Sequence, residues 1–189
     1  MTIIYVDGYN VIFHCPPYKE LCATDLEAAR DMFIRRLAQY SGAIEGRVVL
    51  VFDGKNEYRA SPDRIRHTTY LDVVFTTDRL SADVYIQRTL ESAQSAERIV
   101  VTGDSALAAA VSTLGALAIS PGMFMRHVAQ AEHETVRAAA AAGRRPRRVR
   151  IEDLISEESH AQLLKLKGGP AADTSDAHKT GEQQRPPDG

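Results

Sequence analysis

Residues 3–12 read IIYVDGYNVI. The first four of them form a short apolar run, which is followed directly by Asp7. Four later runs resemble it, because each is short, rich in β-branched or aromatic residues, and without clean alternation of apolar and polar positions. Strands covered by helices on both faces of a parallel sheet have this character. The five predicted strands are Ile3–Val6, Arg47–Phe52, Leu71–Phe75, Arg98–Val101 and Ala116–Ile119.

Helical patterns fill the intervals between these runs. In the first interval, apolar side chains share one helical face, and Thr24 with Glu27 three residues later has the spacing of a capping box. Ser81 is placed to cap a second helix, and Pro121 suits the first position of the last one. The predicted helices are Thr24–Tyr40, Ser81–Ala96, Ser105–Leu114 and Pro121–Ala142.

The alternation of strands with helices predicts an α/β fold. The expected architecture is a three-layer sandwich around a mainly parallel sheet of about five strands. Residues 54–70 are polar and long for a loop, which favours a functional segment. Residues 148–158 have the pattern of an edge strand and a short helix, so the domain is expected to span residues 1–160. Residues 168–189 are rich in Gly, Pro, Ser and charge, and are expected to form a disordered tail.

The overall charge and composition narrow the class of protein. The chain has a formal net charge of −2, although RRPRRVR at residues 144–150 gathers five arginines. That run is read equally as a phosphate contact or as a solvated basic loop. Long apolar stretches and signal-peptide features are missing, so a cytoplasmic protein outside the membrane is expected. Cys15 and Cys22 have no further ligands at zinc spacing and are read as reduced thiols.

Three aspartates stand at the ends of predicted strands. Asp7 follows IIYV, Asp53 follows VVLVF, and Asp104 follows IVVTG; a fourth, Asp83, lies in the first turn of the helix after the third strand. The carboxyl ends of parallel strands share one edge of the sheet, where ligands bind, so these side chains are expected to converge. Singly, each aspartate is typical of a helix cap or a loop; together they indicate a site.

Crowded carboxylates repel one another unless a cation binds between them or protons are taken up. Oxygen ligands with few His or Cys favour Mg²⁺ or Mn²⁺ over zinc. The usual use of such a site is phosphodiester hydrolysis, in which the metal lowers the pKa of the attacking water and neutralises charge on the phosphorus.

Motifs of competing chemistries are missing. The chain has no G-x-x-x-x-G-K-[ST] loop and no G-x-G-x-x-G after its first strand, which argues against nucleotide triphosphatases and dinucleotide enzymes. A haloacid-dehalogenase-like phosphatase would place an aspartate where Tyr9 stands. A receiver domain would place one at the end of the third strand, where Thr76 follows. There is also no G-x-S-x-G elbow.

The opening IIYVDGYNVI resembles the start of YacP-like NYN domains, a branch of the PIN-like nucleases. The resemblance continues through DLEAARDMFIRRLAQY, VVLVFDG, SADVYIQR and VVTGDSA, and it covers roughly residues 1–130. It implies a PIN-like, Rossmann-like topology, a divalent metal and endoribonuclease activity. By position, the residues that correspond to the family's acidic cluster are Asp7, Asp53, Asp83 and Asp104.

Asn10 corresponds to the asparagine of the family's opening motif. Two roles are open to it: hydrogen-bonding a carboxylate or a water at the metal, or tying down the turn after the first strand. Relatives often carry an acidic residue shortly before the Ala-Asp pair, where this chain has Leu80. Either Asp78 takes its place, or the site holds a second metal weakly.

The resemblance also implies an RNA substrate. The weak overall charge favours a small footprint and a partner that presents the RNA, such as a ribonucleoprotein like the ribosome. Two alternatives stay open: a non-catalytic RNA-binding module with the same fold, and a phosphatase acting on small molecules. Residues that are candidates for RNA contact or base stacking are Lys55, Arg59, Arg79, the arginine run, Tyr58 and Tyr70.

Overall fold

The computed structural model describes residues 1–54, 61–92, 97–140 and Val149. Its six strands are β1 (Thr2–Asp7), β2 (Gly46–Phe52), β3 (Asp63–Arg66), β4 (Leu71–Phe75), β5 (Glu97–Val101) and β6 (Leu117–Ile119). They form one sheet in the order β3-β4-β2-β1-β5-β6. Within the described ranges every neighbouring pair is parallel except β3 with β4. The mainly parallel sheet is confirmed, with six strands instead of about five.

The additional strand, β3, lies in the segment that the sequence predicts as a loop. Its sequence, DRIR, is mostly charged, so apolar patterning gives no signal for it. The strand forms because β4 offers a free edge, with Asp63 opposite Phe75 and Arg66 opposite Asp72. A short, charged strand is well suited to the edge of a sheet, because it discourages pairing with another chain.

Helices cover both faces of the sheet. They are α1 (Gly8–His14), α2 (Tyr18–Cys22), α3 (Leu26–Ala43), α4 (Ala82–Ser92), α5 (Ser105–Thr113) and α6 (Pro121–Ala140). One buried cluster joins the sheet to α1, α2, α3 and α6, and a second joins it to α4 and α5. Along β1, Ile4 and Val6 belong to the first cluster and Tyr5 to the second, as strand alternation requires. The predicted three-layer sandwich is therefore confirmed.

The predicted capping box at the start of α3 is wrong. Asp25 is the cap, because its carboxylate accepts a hydrogen bond from the Ala28 N–H at 2.8 Å. The Thr24 hydroxyl instead donates to a carbonyl of the preceding helix, and Glu27 forms an ion pair with Arg30. Asp and Thr are both good caps, and only the path of the chain out of α2 decides between adjacent residues.

Two short helices, α1 and α2, are missing from the sequence prediction, whereas the other four helices lie within the predicted stretches or close to their ends. The tail, the predicted elements at 148–158 and the arginine run lie outside the described residues, apart from Val149. That residue bridges to Ile44 at the end of α3. Among the helices that the structure describes, none is long and apolar enough to cross a membrane.

The strand that carries Asp7 is held at the centre of the fold. β1 lies between β2 and β5, and its Ile4 and Val6 are fully buried. Truncating a buried aliphatic side chain to alanine typically costs about 2–5 kcal/mol. Packing therefore fixes the position at which β1 ends, and with it the position of Asp7.

Candidate active site

Three neighbouring strands end at one edge of the sheet, and an aspartate lies at or just after each end. Asp7 is the last residue of β1, Asp53 follows β2, and Asp104 follows β5 after Thr102 and Gly103. Since β1 pairs in parallel with both β2 and β5, the three strand ends lie side by side. The structure therefore brings these three predicted residues to one edge, as parallel topology requires.

Two of the aspartates also cap helices. The Asp7 carboxylate accepts a hydrogen bond from the Asn10 N–H at 3.2 Å at the start of α1. The Asp104 carboxylate accepts from the N–H groups of Ala106 and Leu107, at 2.7 and 2.9 Å, at the start of α5. Loss of such a cap typically costs about 1 kcal/mol. Both residues therefore support the fold independently of any chemistry.

Asp53 connects the end of β2 to the start of α4. Its Oδ1 accepts a hydrogen bond from the Ala82 N–H at 2.7 Å. Beside it, the Gly54 N–H donates to the Thr76 hydroxyl at 3.1 Å. A Cβ atom on Gly54 would overlap the Thr76 carbonyl oxygen, so only glycine fits this close approach. Because Asp83 follows Ala82 in α4, the same bond holds Asp83 beside Asp53.

Asp83 differs from the other three aspartates. It is partly buried in the first turn of α4, and its side chain makes no hydrogen bond within the described part of the chain. A carboxylate near the start of a helix is favoured by the helix dipole, but that contribution is small. Of the four candidate residues, Asp83 therefore has the least evident structural role.

The four carboxylates interact electrostatically. Burial raises the pKa of Asp7 to about 7; the hydrogen bond from Asn10 opposes this rise, while the charges of Asp83, Asp53 and Asp104 add to it. Burial also raises the pKa of Asp83, and the charges of Asp104 and Asp53 add to that rise. The neighbouring acids thus make ionisation of Asp7 and Asp83 less favourable, so these two carboxyl groups have a free-energy reason to keep a proton or to bind a cation.

The donor set fits a hard divalent cation in its chemistry and charge. Carboxylate oxygens are the ligands that Mg²⁺ and Mn²⁺ prefer. Over the described ranges, however, no three His, Cys, Asp or Glu side chains are gathered closely enough to hold a metal ion as they stand. Carboxylates without a counter-charge repel one another, so closing around a cation would require their side chains to turn inward.

Comparison with known proteins identifies the family. The model of the YacP-like NYN domain matches residues 4–168, which is most of the chain. The chain belongs to the YacP-like NYN domain family. NYN domains are PIN-like nucleases, so membership indicates a nuclease function connected with RNA.

Similar proteins come from Bacillus subtilis. The chain is 32% identical over 139 residues to the uncharacterized protein YacP of strain 168, covering 72% of this chain and 81% of that protein. The crystal structure of Rae1 (YacP) has 29% identity and a TM-score of 0.63, covering 75% of this chain and 81% of that one. A tryptophan-to-leucine mutant of Rae1 has 26% identity and a TM-score of 0.62, covering 87% and 91%.

In this NYN domain, Asn10 links α1 to the loop that leads to Asp104. Its side-chain oxygen accepts a hydrogen bond from the Gly103 N–H at 2.6 Å. A Cβ atom on Gly103 would lie 3.0 Å from that oxygen, which leaves little room for any larger residue. Of the two roles predicted for Asn10, the structure therefore supports a tie between elements, although the tie joins β1–α1 to β5–α5.

Sequence reasoning misses His14 and Phe13 at this edge. The His14 Nδ1 lies 2.7 Å from the Asn10 carbonyl oxygen, which can only accept, so Nδ1 carries the proton. The other ring nitrogen faces Gly103, since a Cβ atom there would lie 3.3 Å from it. Phe13 is exposed and its ring stacks on Tyr9. Both residues belong to α1, a helix that the sequence pattern does not predict.

Several other predicted residues lie away from the cluster or outside the described part. Leu80 closes a tight turn with Thr77, and Asp78 is exposed in that turn. Asp78 is not among the charges that raise the pKa values of Asp7 and Asp83. Arg79 is exposed and Tyr70 partly buried. Predicted RNA contacts that fall outside the described residues are Lys55, Tyr58, Arg59 and the five arginines of the arginine run.

Proposed function

We propose that this protein is a metal-dependent endoribonuclease that hydrolyses RNA phosphodiester bonds at the edge formed by Asp7, Asp53, Asp83 and Asp104. The observation that carries the proposal is the convergence of three strand ends and the start of α4 at one place. Burial and mutual repulsion there raise the pKa of Asp7 to about 7. A site of this kind costs stability, as functional sites commonly do. The family membership supports the nuclease class.

The four aspartates are the residues that would hold Mg²⁺ or Mn²⁺. A cation bound there would supply charge neutralisation for the phosphate and a lowered pKa for the attacking water. Asp7 is 7% exposed and lies deepest, whereas Asp53 and Asp104 are exposed and accessible to a substrate. The backbone N–H groups that Asp53 and Asp104 bind all donate to Oδ1, so among the described residues Oδ2 of each is left for a cation.

An RNA strand suits this edge better than a small phosphate ester. Asp53, Gly103 and Asp104 are exposed, so the described part of the site is open. An open edge admits an internal segment of a polymer, whereas enzymes for small molecules usually enclose most of the ligand surface. The exposed Phe13 offers a ring on which a base can stack.

We also propose that the protein acts in the cytoplasm on RNA presented by a ribonucleoprotein such as the ribosome. The support for presentation is the net charge of −2, because affinity for free RNA grows with the number of phosphates that Lys and Arg neutralise. A ribonucleoprotein partner would supply the positioning that a weakly charged enzyme lacks.

The sharpest test is Asp83→Asn, because this residue makes no hydrogen bond among the described residues and its replacement should not disturb the fold. End-labelled RNA, free and in ribosome-bound form, would be incubated with Mn²⁺ or with EDTA. We expect internal cleavage by the parent with Mn²⁺ only, and a loss of rate by orders of magnitude in Asp83→Asn. Asp31→Asn, which changes an exposed aspartate of α3, is the matched control and should cleave like the parent.

Three outcomes would contradict the proposal. We call the edge formed by Asp7, Asp53, Asp83 and Asp104 the acidic edge. Equal cleavage by Asp83→Asn and the parent would show that the acidic edge does not catalyse the reaction. RNA binding without cleavage under every metal condition would favour the non-catalytic module. Hydrolysis of small phosphate monoesters but not of RNA would favour the phosphatase.

A further inference from the structure

A buried aspartate lies under three arginines on the β3 side of the sheet. The Asp72 side chain is 2% exposed. It accepts hydrogen bonds from Arg64 Nε at 3.2 Å and Nη2 at 2.6 Å, and it lies 3.0 Å from Arg47 Nη2. Arg66 Nε is more distant, at 3.7 Å. We call Arg47, Arg64 and Arg66, together with Asp72, the arginine corner.

The arginine corner has more positive charge than its ion pairs need. Three guanidinium groups face one carboxylate, so two positive charges within the corner stay uncompensated. Burial raises the pKa of Asp72, but Arg64 and Arg47 outweigh burial and hold that pKa below its ordinary value. Arg64 and Arg66 are 50% and 71% exposed. They are therefore anchored at one end and open to solvent.

Among the described elements, no helix packs closely on this face of β3. Strand alternation puts Arg64 and Arg66 on the face where α4 and α5 pack, whereas Ile65 points to the α3 face with Val73 and Phe75. On the first of these faces, α4 packs against β1 and β2, and β3 packs closely only against β4 within the described elements. In the described part of the chain, the space beside α4 over β3 and β4 is thus lined by arginine side chains and not by a helix.

β3 connects the arginine corner to the acidic edge. Asp63, its first residue, pairs with Phe75, which in turn pairs with Phe52, the residue before Asp53. From there β3 runs away from the edge. Arg64 and Arg66 are two residues apart, which is about 7 Å along a strand. Neighbouring phosphates of an extended nucleic-acid strand are separated by a comparable distance.

We propose that the arginine corner binds the phosphate backbone of an RNA strand whose continuation reaches the acidic edge. This inference rests on the proposed function, since it names the surface that would hold the substrate on one side of the cut. Arginine suits this role because its planar fork can bond a carboxylate at one side and a phosphate at the other. Contacts to phosphate alone carry no sequence information, so binding at the corner is independent of base sequence.

The test measures RNA binding without cleavage. A fluorescent single-stranded RNA of about ten nucleotides would be titrated by anisotropy in EDTA, from about 50 to about 200 mM salt. The main variant is Arg66→Gln, whose long contact to Asp72 makes folding insensitive to the change. Arg35→Gln is the matched control, because Arg35 is an exposed arginine on α3, on the opposite face of the sheet. Arg64→Lys keeps the charge and removes the fork.

Each lost phosphate contact should reduce the slope of log affinity against log salt by about 0.7. Over a fourfold change in salt this is about a 2.6-fold smaller loss of affinity. We expect this change in Arg66→Gln for two unrelated RNA sequences, with Arg35→Gln unchanged and Arg64→Lys weakened at unchanged slope. Equal effects of Arg66→Gln and Arg35→Gln, or no effect of either, would overturn the inference and leave the arginines as edge protection only.

Cleavage assays with Mn²⁺ separate this inference from the proposed function. If the parent and Arg66→Gln bind RNA as expected but neither cleaves it, RNA binding at the arginine corner is supported and the proposed nuclease activity is contradicted. If the parent and Arg66→Gln cleave equally and bind equally, the proposed nuclease activity is supported and the arginine corner is not the substrate surface.

Discussion

The raised pKa of Asp7 predicts that the metal-free protein becomes less stable as the pH rises, and this can be tested without any substrate. Burial and neighbouring carboxylates raise this pKa from 3.8 to about 7 in the folded protein. At low pH Asp7 is protonated in both the folded and the unfolded states, so its ionisation does not lower the free energy of unfolding. Between about pH 4 and pH 7 the unfolded state has released the proton that the folded state keeps, so stability falls as the pH rises. Above the folded pKa the loss is complete.

The magnitude follows from the size of the pKa difference. Each pKa unit corresponds to about 1.36 kcal/mol, so a rise of about three units lowers the free energy of unfolding by about 4 kcal/mol at pH 8. Because Asp7 is 7% exposed, solvent screening reduces this figure little. Asp7→Asn removes the ionisable group but keeps an oxygen that accepts the Asn10 N–H bond at the start of α1. The metal-free variant should therefore match the parent near pH 4 and exceed its stability at pH 8.

The assay is urea unfolding of both proteins in EDTA at several pH values between about 4 and 8. The difference between variant and parent isolates Asp7 from the other titrating groups. Asp25→Asn is the control, because it makes the same change at an exposed helix cap outside the acidic cluster, and Mn²⁺ at pH 8 should stabilise it as much as the parent. At pH 8, Mn²⁺ should stabilise the parent more than Asp7→Asn, since a ligand of the folded state stabilises according to its affinity. A difference that stays constant or shrinks as the pH rises would refute the reasoning.

Two further predictions concern residues with a structural role at the same edge. Metal-free Asp104→Ala should cost about 1 kcal/mol of stability, because it removes the cap of α5, whereas metal-free Asp104→Asn should be as stable as the parent or more so. In melting curves, Mn²⁺ should stabilise both variants less than it stabilises the parent. Equal destabilisation by both variants would contradict this. Gly54→Ala should lower the free energy of unfolding in urea by about 2 kcal/mol or more, because the added methyl group would overlap the Thr76 carbonyl oxygen. Gly42→Ala is the control and should be neutral or stabilising, because its methyl group would meet nothing within 4 Å. Similar stability of the two glycine variants would show that the β2 end can shift freely.

Much of the fold follows from local patterns. The run IIYV and its four counterparts are apolar on both faces, and such runs are stable only when helices bury them on both sides, so they predict the parallel sheet and its layers. The aspartates after these runs then fall at one edge by topology alone. The helices α3, α4, α5 and α6 are long enough for their apolar periodicity to be read.

The missed elements have no such pattern. β3 carries three charges in four residues and forms only because β4 provides backbone partners. α1 and α2 are too short to be stable alone, and packing contacts hold them in place, such as the edge-on contact of Tyr18 with Phe33. The sequence does not predict His14 and Phe13 for this reason, because only α1 places His14 against Gly103 and Phe13 against Tyr9.

The amino-acid sequence is enough to predict which carboxylates meet and at which edge of the sheet, because alternating strands and helices imply parallel strands whose carboxyl ends share one edge. The order of the strands within the sheet comes only from the folded chain. The role of each carboxylate at that edge depends on contacts that exist only in the folded chain. Asp7 and Asp104 cap helices, Asp53 holds the start of α4, and Asp83 makes no described hydrogen bond. The pKa of Asp7 depends on burial and on charges 46 to 97 residues away along the chain, since it interacts with Asp53, Asp83 and Asp104. Interactions over such separations exist only after the strands have assembled.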